Sequence, residues 1–195
     1  VASSVEVTDE ALVQRVQAGD KKAFDLLVLK YQNRVIHLVN RYLRDQSEAQ
    51  DVAQDAFIKA YRAIGSFRGE SAFYTWIYRI AINTAKNHIV SRSRRPSEED
   101  IDPDVAEQFE GVDSLRDIDT PDAILLSEEM AVIIQNALDD LPSELRTAIS
   151  LREFDGLSYE EIAEAMSCPV GTVRSRIFRA REFIEKRLES VEVRP

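Results

Sequence analysis

An all-α protein built from two small helical domains is the fold class this sequence predicts, and three observations predict it. Apolar residues recur at spacings of three and four, with no sustained period-two alternation. Ala, Leu, Ile, Arg and Glu abound, while glycine and proline number six each among 195 residues. Finally, an aperiodic acidic stretch over residues 97–122 divides the periodic chain in two.

In chain order, Thr8 can cap a short helix running through Val16 and stopping at Gly19, and Asp20 can cap the next. That second helix is long, with Phe24, Leu27, Val28, Tyr31, Val35, Leu38, Val39 and Tyr42 on one stripe. Ser47 and Gln50 have capping-box spacing and open a third helix that ends at Gly65, with Ala53, Ala56, Phe57, Ala60 and Ile64 inward. After a loop over residues 66–70, a fourth helix runs from about Ser71 into the basic end Ser91-Arg92-Ser93-Arg94-Arg95 and stops before Pro96.

The stretch that follows carries Glu98, Glu99, Asp100, Asp102, Asp104, Glu107, Glu110 and Asp113, too little apolar surface to order itself, and reads as a linker. Thr120-Pro121, a cap followed by proline at the first helical position, restarts regular structure. Ile124, Ala131, Ile134 and Leu138 form its stripe, and Ser143 caps a further helix ending near Asp155-Gly156. The predicted organisation is a first domain over residues 1–96, a linker over 97–122 and a second domain over 123–195.

The segment from Leu157 to Arg181 carries the most chemical information. Ser158 and Glu161 form a capping box, in which each side chain satisfies the other's orphan backbone N–H, and Ile162 and Met166 give that helix an apolar face. Cys168-Pro169-Val170-Gly171 interrupts the pattern, and Thr172 suits the N-cap of a second helix. In that helix Val173, Ile177, Ala180, Ile184 and Leu188 make one buried stripe. At about 100° per residue, Ser175, Phe178, Arg179 and, nearer the edge, Arg174 fall on the opposite side. An exposed Phe among arginines suits a helix that something covers. A DNA major groove admits a helix, and arginine pairs bidentately with guanine edges, so a helix-turn-helix is the reading; a basic helix on a solvated face or packed on another domain is the bland alternative.

Composition narrows the remaining classes. A net charge of −10 is unexpected for a DNA binder until it is divided along the chain. Residues 1–96 carry 15 basic and 10 acidic side chains, residues 97–126 carry 1 and 11, and residues 127–195 carry 9 and 14. Between Gly171 and Arg187 six basic residues stand against two acidic, and local fields rather than global charge govern nucleic-acid binding. The single cysteine, Cys168, excludes an internal disulfide framework, and His37 and His88 have no companions at ligand spacing, so neither metal nor cofactor is expected. No apolar run approaches a membrane span and no signal pattern opens the chain, so a cytoplasmic location is expected.

Two further surfaces attract attention. Phe73, Tyr74, Trp76 and Tyr78 crowd the fourth helix ahead of Arg79, Asn83, Lys86 and Asn87. One helix face does not bury four rings, so the set suits single-stranded nucleic acid, whose bases stack on rings while phosphates meet cations; a plain core role for Phe73 and Trp76 is the alternative. On the third helix Asp51, Gln54, Asp55 and Ile58 share the face opposite the alanine stripe. The acids at i and i+4 could hold a metal, as in a nuclease, but no third ligand or base accompanies them. An exposed isoleucine ringed by acids better fits a docking patch for a basic partner helix, with a solvated face close behind. No Walker lysine follows Gly65-Ser66-Phe67-Arg68-Gly69 and no Ser/His/Asp or Cys/His set can be assembled, so catalysis by the chain is not expected.

Three ordered motifs, Asp51 to Tyr61, Phe67 to Asn83, and Leu157 to Ala163 with Pro169 to Arg176, make the chain resemble the extracytoplasmic-function sigma factors, closest to the envelope-stress and alginate-regulating sigma-E type. The resemblance covers both domains and is weak only in the linker. It implies a sigma region 2 domain up to about residue 96, a region 4 domain from about residue 122, and a promoter-recognition subunit for core RNA polymerase that touches the clamp of its largest subunit and its flap. By position, Asp51, Gln54, Asp55 and Ile58 fall in the helix that docks on the clamp. Phe67, Ile80 and Asn83, with Ala63 nearby, match the pocket for a flipped non-template base at the -10 element, and Lys59, Arg79 and Lys86 are candidates for strand phosphates. Arg174, Ser175, Phe178 and Arg179 match the helix that reads the -35 element, while Thr172, Arg176 and Arg181 would meet phosphates. Control by a membrane-anchored anti-sigma factor is a further implication. The linker would thread the RNA exit path, where its acids could mimic RNA, or act as a solvated tether. A stand-alone regulator with the same helix-turn-helix is the rival, but it would need a dimerisation surface that no heptad pattern supplies.

Overall fold

The computed structural model describes residues 8–93 and 121–192; Arg94, Arg95 and the acidic linker as far as Thr120 lie outside them, and the last two residues of the predicted linker, Pro121 and Asp122, open a helix. Among the described residues the chain forms eight α-helices and one short 3-10 turn: α1 (Asp9–Gln17), α2 (Lys21–Leu43), α3 (Gln46–Ala63), the turn Ile64–Ser66, α4 (Phe73–Ser93), α5 (Pro121–Asp140), α6 (Ser143–Glu153), α7 (Tyr159–Met166) and α8 (Val170–Glu192).

Local chemistry sets most boundaries. The Thr8 hydroxyl accepts from the Ala11 amide and Asp20 accepts from the Lys22 amide, so α1 and α2 start where side-chain oxygens satisfy orphan donors. Between them Gly19 takes φ +99°, which a side chain would resist. The third helix starts earlier than predicted: Asp45, not Ser47, is its cap, accepting from the Glu48 amide. Its C-terminal end tightens into the 3-10 turn instead of stopping at Gly65. Similarly, α6 is preceded by Pro142, and Ser143 makes no capping bond.

The turn of the helix-turn-helix is also corrected. Ser167, in the left-handed region at φ 52°, ends α7, and α8 begins at Val170. Gly171 and Thr172 are therefore inside the first turn of α8, and Pro169 sits just ahead of it, where its missing N–H costs nothing. The predicted capping box of α7 is present, with both Ser158–Glu161 hydrogen bonds formed, at 2.7 and 3.2 Å.

Helices α2, α3 and α4 pack on one another, with α1 against α2. Tyr31, Val35, Leu38, Val39, Ala53, Ala56, Ala60, Ile77 and Ile82 are buried among them. In the second half α8 crosses α5, α6 and α7, burying Val173, Ile177 and Ala180, while Ile184 is half-buried against Leu138, Leu141 and Ile149. The predicted second-half stripe is partly seen in Ile134 and Leu138; the side chains of Ile124 and Ala131 lie outside the described set.

The halves are packed together, since α4 lies against α7 and α2 against α6. Apolar residues from both make one continuous core that runs from Leu12 through Ile82 to Leu157, Ile162, Met166 and Ile177. Arg146 of α6 reinforces the seam: nearly buried, it donates to the backbone carbonyls of Leu138, Asp139 and Leu141 in its own half and of Arg41 in the other, at 2.7–3.1 Å. Four fixed acceptors match a guanidinium fork, which explains a charged residue at so enclosed a position.

Candidate nucleic-acid interface

Helix α8 presents the surface expected of a DNA-reading helix. With Val173, Ile177 and Ala180 turned into the core, Arg174, Ser175, Phe178 and Arg179 are all exposed, Phe178 by 68%. A phenylalanine held in water by a rigid helix gains by being covered. The neighbouring cations are already paired. Arg176 is half-buried, pairing with Glu144 at 2.8 Å and donating to Cys168 Sγ at 3.4 Å, whereas Arg181 is exposed and engaged by Glu153 at 2.7 Å. Thr172, half-buried, has its carbonyl occupied by the Ser175 hydroxyl.

The patch on α3 is arranged as the sequence suggests: Asp51, Gln54, Asp55 and Ile58 all face solvent, Ile58 by 45%. Asp55 forms an ion pair with Lys59 one turn on, at 2.7 Å. Lys59 thus neutralises the acid, and it also lies within 3.4 Å of the Thr84 hydroxyl on α4.

Around the junction of α3 and α4, Phe67 is half-buried against Phe73 and Trp76, with ring centroids 6.2 and 5.0 Å away. Gln17 of α1 fixes this loop by donating to the Ile64 and Phe67 carbonyls, both at 2.9 Å. Ala63 and Ile80 are half-buried and Asn83 is exposed. A partly open ring, a small apolar floor and a free amide are the chemistry that receives an unstacked base.

The aromatic crowd on α4 does not form an exposed stacking platform. Phe73 and Trp76 are buried with Tyr31 and Phe67 inside the first half, whereas Tyr78 is buried and Tyr74 half-buried on the side where the second half packs on α4. Tyr74 donates its hydroxyl to Glu161, and Tyr78 to Asp155 at 3.4 Å. Burial first, and then the nearby carboxylate, raises both phenols above their ordinary range. The Tyr74 hydroxyl, followed by the Ser158 amide, in turn lowers the pKa of Glu161.

Cations of α4 expected at a DNA strand also turn toward the second half. Arg79 faces Glu164 at 3.6 Å, and Lys86 faces Glu144 at 2.9 Å. On α2, Arg41 pairs with Asp155 at 3.1 Å, with both side chains more than four-fifths buried. Pairs as exposed as Arg79–Glu164 contribute only about 0–1 kcal/mol each, so apolar burial along α4 and α7 does most of the holding. Glu144, Asp155 and Glu164 went unrecognised in the sequence, where they look like ordinary surface acids. Only Glu161 gave a signal, through its capping box.

The architecture defines a class: a helical DNA-binding protein with a helix-turn-helix in its second half and a separate polar-aromatic surface in its first. Comparison with known proteins gives that class its family. Residues 27–95 match Sigma-70 region 2, and residues 131–184 match Sigma-70, region 4. The RNA polymerase sigma-H factor of Pseudomonas aeruginosa is 61% identical over 181 residues, covering 93% of this chain and 94% of that protein. The ECF RNA polymerase sigma-E factor of Escherichia coli K12 is 57% identical over 186 residues, covering 95% and 97%. Among solved structures, CnrH in complex with the cytosolic domain of CnrY shares the fold at 24% identity and a TM-score of 0.63, covering 93% of this chain and 97% of that one. The sigma factor RpoE of Bartonella quintana, in complex with the anti-sigma factor NepR, does so at 24% and 0.61, covering 86% and 98%. The chain belongs to the extracytoplasmic-function sigma factors of RNA polymerase, and is a transcription initiation factor. No helix among the described residues is long and apolar enough to cross a membrane.

Proposed function

We propose that this sigma factor reads promoters in two places, with region 2 occupying residues 1–96 and region 4 residues 123–195. In region 4, Arg174, Ser175, Phe178 and Arg179 read base edges of the -35 element, while Thr172, Arg176 and Arg181 meet its phosphates. In region 2, Phe67, Ala63, Ile80 and Asn83 receive a flipped base of the -10 non-template strand, and Lys59, Arg79 and Lys86 meet that strand's phosphates. Asp51, Gln54, Asp55 and Ile58 dock on the clamp of core polymerase, region 4 contacts the flap, and residues 97–122 connect the two. The chain has no catalytic role of its own and works in the cytoplasm, where its DNA is. Membership of a group whose relatives include sigma-E factors at 57% identity supports envelope-stress control by a membrane-anchored anti-sigma factor.

The observation that carries the reading is the outward face of α8. Three arginine-or-serine positions and a 68% exposed Phe178 lie on a helix whose other side is locked into a helix-turn-helix core. Two weak contacts on one chain gain from effective concentration once polymerase fixes their spacing. The test is to mix purified chain, core polymerase and promoter duplex. Duplex binding that appears only with both proteins present supports the reading. Tight duplex binding by the chain alone, without affinity for core polymerase, overturns it.

A further inference from the structure

Gln17, the last residue of α1, reaches across to the loop that carries the candidate base pocket. Its side-chain amide donates to the carbonyls of Ile64 and Phe67, both at 2.9 Å, across 47 and 50 residues of sequence. Two carbonyl acceptors require the NH2 end of the amide, so both of its N–H groups are used. The first acceptor follows Ala63 and the second belongs to Phe67, two of the residues read as the pocket. Inside the loop the Phe67 amide donates to the Ile64 carbonyl at 3.1 Å, and the Ser66 hydroxyl to the Ala63 carbonyl at 2.7 Å. Those bonds shape the turn without attaching it to another element. Gln17 does attach it, and its own anchorage is firm. Leu12, Val13 and Val16 bury α1 in the core, and Arg15 clamps the Asp20 carboxylate at 2.7 and 3.0 Å.

We propose that Gln17 is a positioning residue for base selection in the melted strand. By holding the Ile64 and Phe67 carbonyls it fixes the Phe67 backbone, and with it the mouth of the pocket, before DNA arrives. The inference rests on the reading that Phe67 and Asn83 receive a flipped base. The Phe67 ring is set from one side by Phe73 and Trp76 of α4. Its peptide is set from the other side by Gln17, ahead of the left-handed turn at Gly69, where φ is +73°. A loop held in its receiving shape loses no further conformational entropy when the base enters. Held in one shape, it also rejects a base that an adaptable loop would accommodate. Gln17 bonds only to loop backbone, so its effect on base choice passes through the loop.

The test uses the full chain with core polymerase on templates in which each position of the melted element is varied in turn behind one upstream element that the parent chain selects. Gln17→Met keeps the side-chain length and removes both donors. It should narrow the gap between preferred and disfavoured bases about fivefold at the position that Asn83→Ala also relaxes. Other positions, and the affinity for core polymerase, should change by less than about twofold. Gln17→Glu, which sets a carboxylate against the two carbonyls, should relax that position at least as far. Arg15→Ala removes the clamp on Asp20 without touching the loop, so it should keep the parent base preference even where the thermal midpoint falls. Equal loss of transcription from every base in Gln17→Met, or the same narrowing in Arg15→Ala, overturns the proposal by reducing Gln17 to a contributor to helix stability. An unchanged profile in Gln17→Met while Asn83→Ala relaxes its position also overturns it, and leaves the pocket reading standing. If Asn83→Ala relaxes no position, the pocket reading itself fails and the proposal with it.

Discussion

The Tyr74 hydroxyl donates to the Glu161 carboxylate, tying the aromatic helix of the first half to the capping box of the helix-turn-helix. The same carboxylate accepts from the Ser158 amide, so one side chain both starts α7 and fastens it to α4. Tyr74→Phe keeps the ring and the cap but removes this tie. It should lower stability by about 1 kcal/mol in urea denaturation, the scale of a partly exposed hydrogen bond to a charged group. Glu161, with a lowered pKa, contributes above its ordinary 4.5 and gives this up as pH falls through its depressed value. Tyr74, with a raised pKa, contributes below its ordinary 10.0 and gives this up as pH rises through its elevated value. The difference between parent and Tyr74→Phe should therefore be constant from pH 5 to 9 and shrink in stronger acid; growth of the difference on acidification would contradict the assignment.

Arg146 should be among the most costly positions to change. Its four backbone acceptors include one from the other half, and Arg146→Ala removes the guanidinium donor from the Arg41 and Leu141 carbonyls while Leu138 keeps the Leu141 amide and Asp139 keeps Arg44. The expected loss is on the order of 3 kcal/mol, read as a lower urea midpoint. Arg146→Lys should recover only part of it, because an ammonium cannot span the fork; full recovery would show that charge alone matters.

The outward residues of α8 should behave oppositely. Phe178→Ala and Arg179→Ala remove exposed side chains, so stability should move by less than about 0.5 kcal/mol. If Arg179 reads a base, its loss should cost about 1–3 kcal/mol of discrimination at one or two -35 positions. Uniform weakening across a panel of promoter variants would make it a phosphate contact.

Ile58 offers the cleanest probe of docking. Ile58→Ala should leave the thermal midpoint nearly unchanged, since the side chain already faces solvent, yet weaken binding to core polymerase by about 1–2 kcal/mol. Binding equal to that of the parent chain would remove α3 as the docking surface.

Much of the architecture was legible in the sequence because its signals are local. Thr8, Asp20 and the Ser158–Glu161 pair cap helices through bonds spanning two or three residues, and the stripes of α2 and α8 follow from helical period. Where two local solutions compete, the reading slipped: Asp45 displaces Ser47, and Ser167 adopts the left-handed turn that Gly171 seemed better suited to supply. The larger miss concerned α4. Four rings looked too many for one face, but Tyr78 is 1% exposed because a second face is covered by a helix some 80 residues away in sequence, a relationship no local period encodes. For the same reason, the exposed positions Asp51, Ile58, Arg174 and Phe178 could be picked out from helical phase, whereas the partners of Arg79, Lys86 and Arg176 could not.

Transcription by core polymerase and this chain on a library with randomised upstream and melting regions tests the central claim most directly. The account expects transcripts from templates that share two sequence elements at one fixed spacing, with Arg179→Ala relaxing only the upstream element and Asn83→Ala only the downstream one. Selection of a single element, or of one element altered by both substitutions, would contradict a two-site promoter reader.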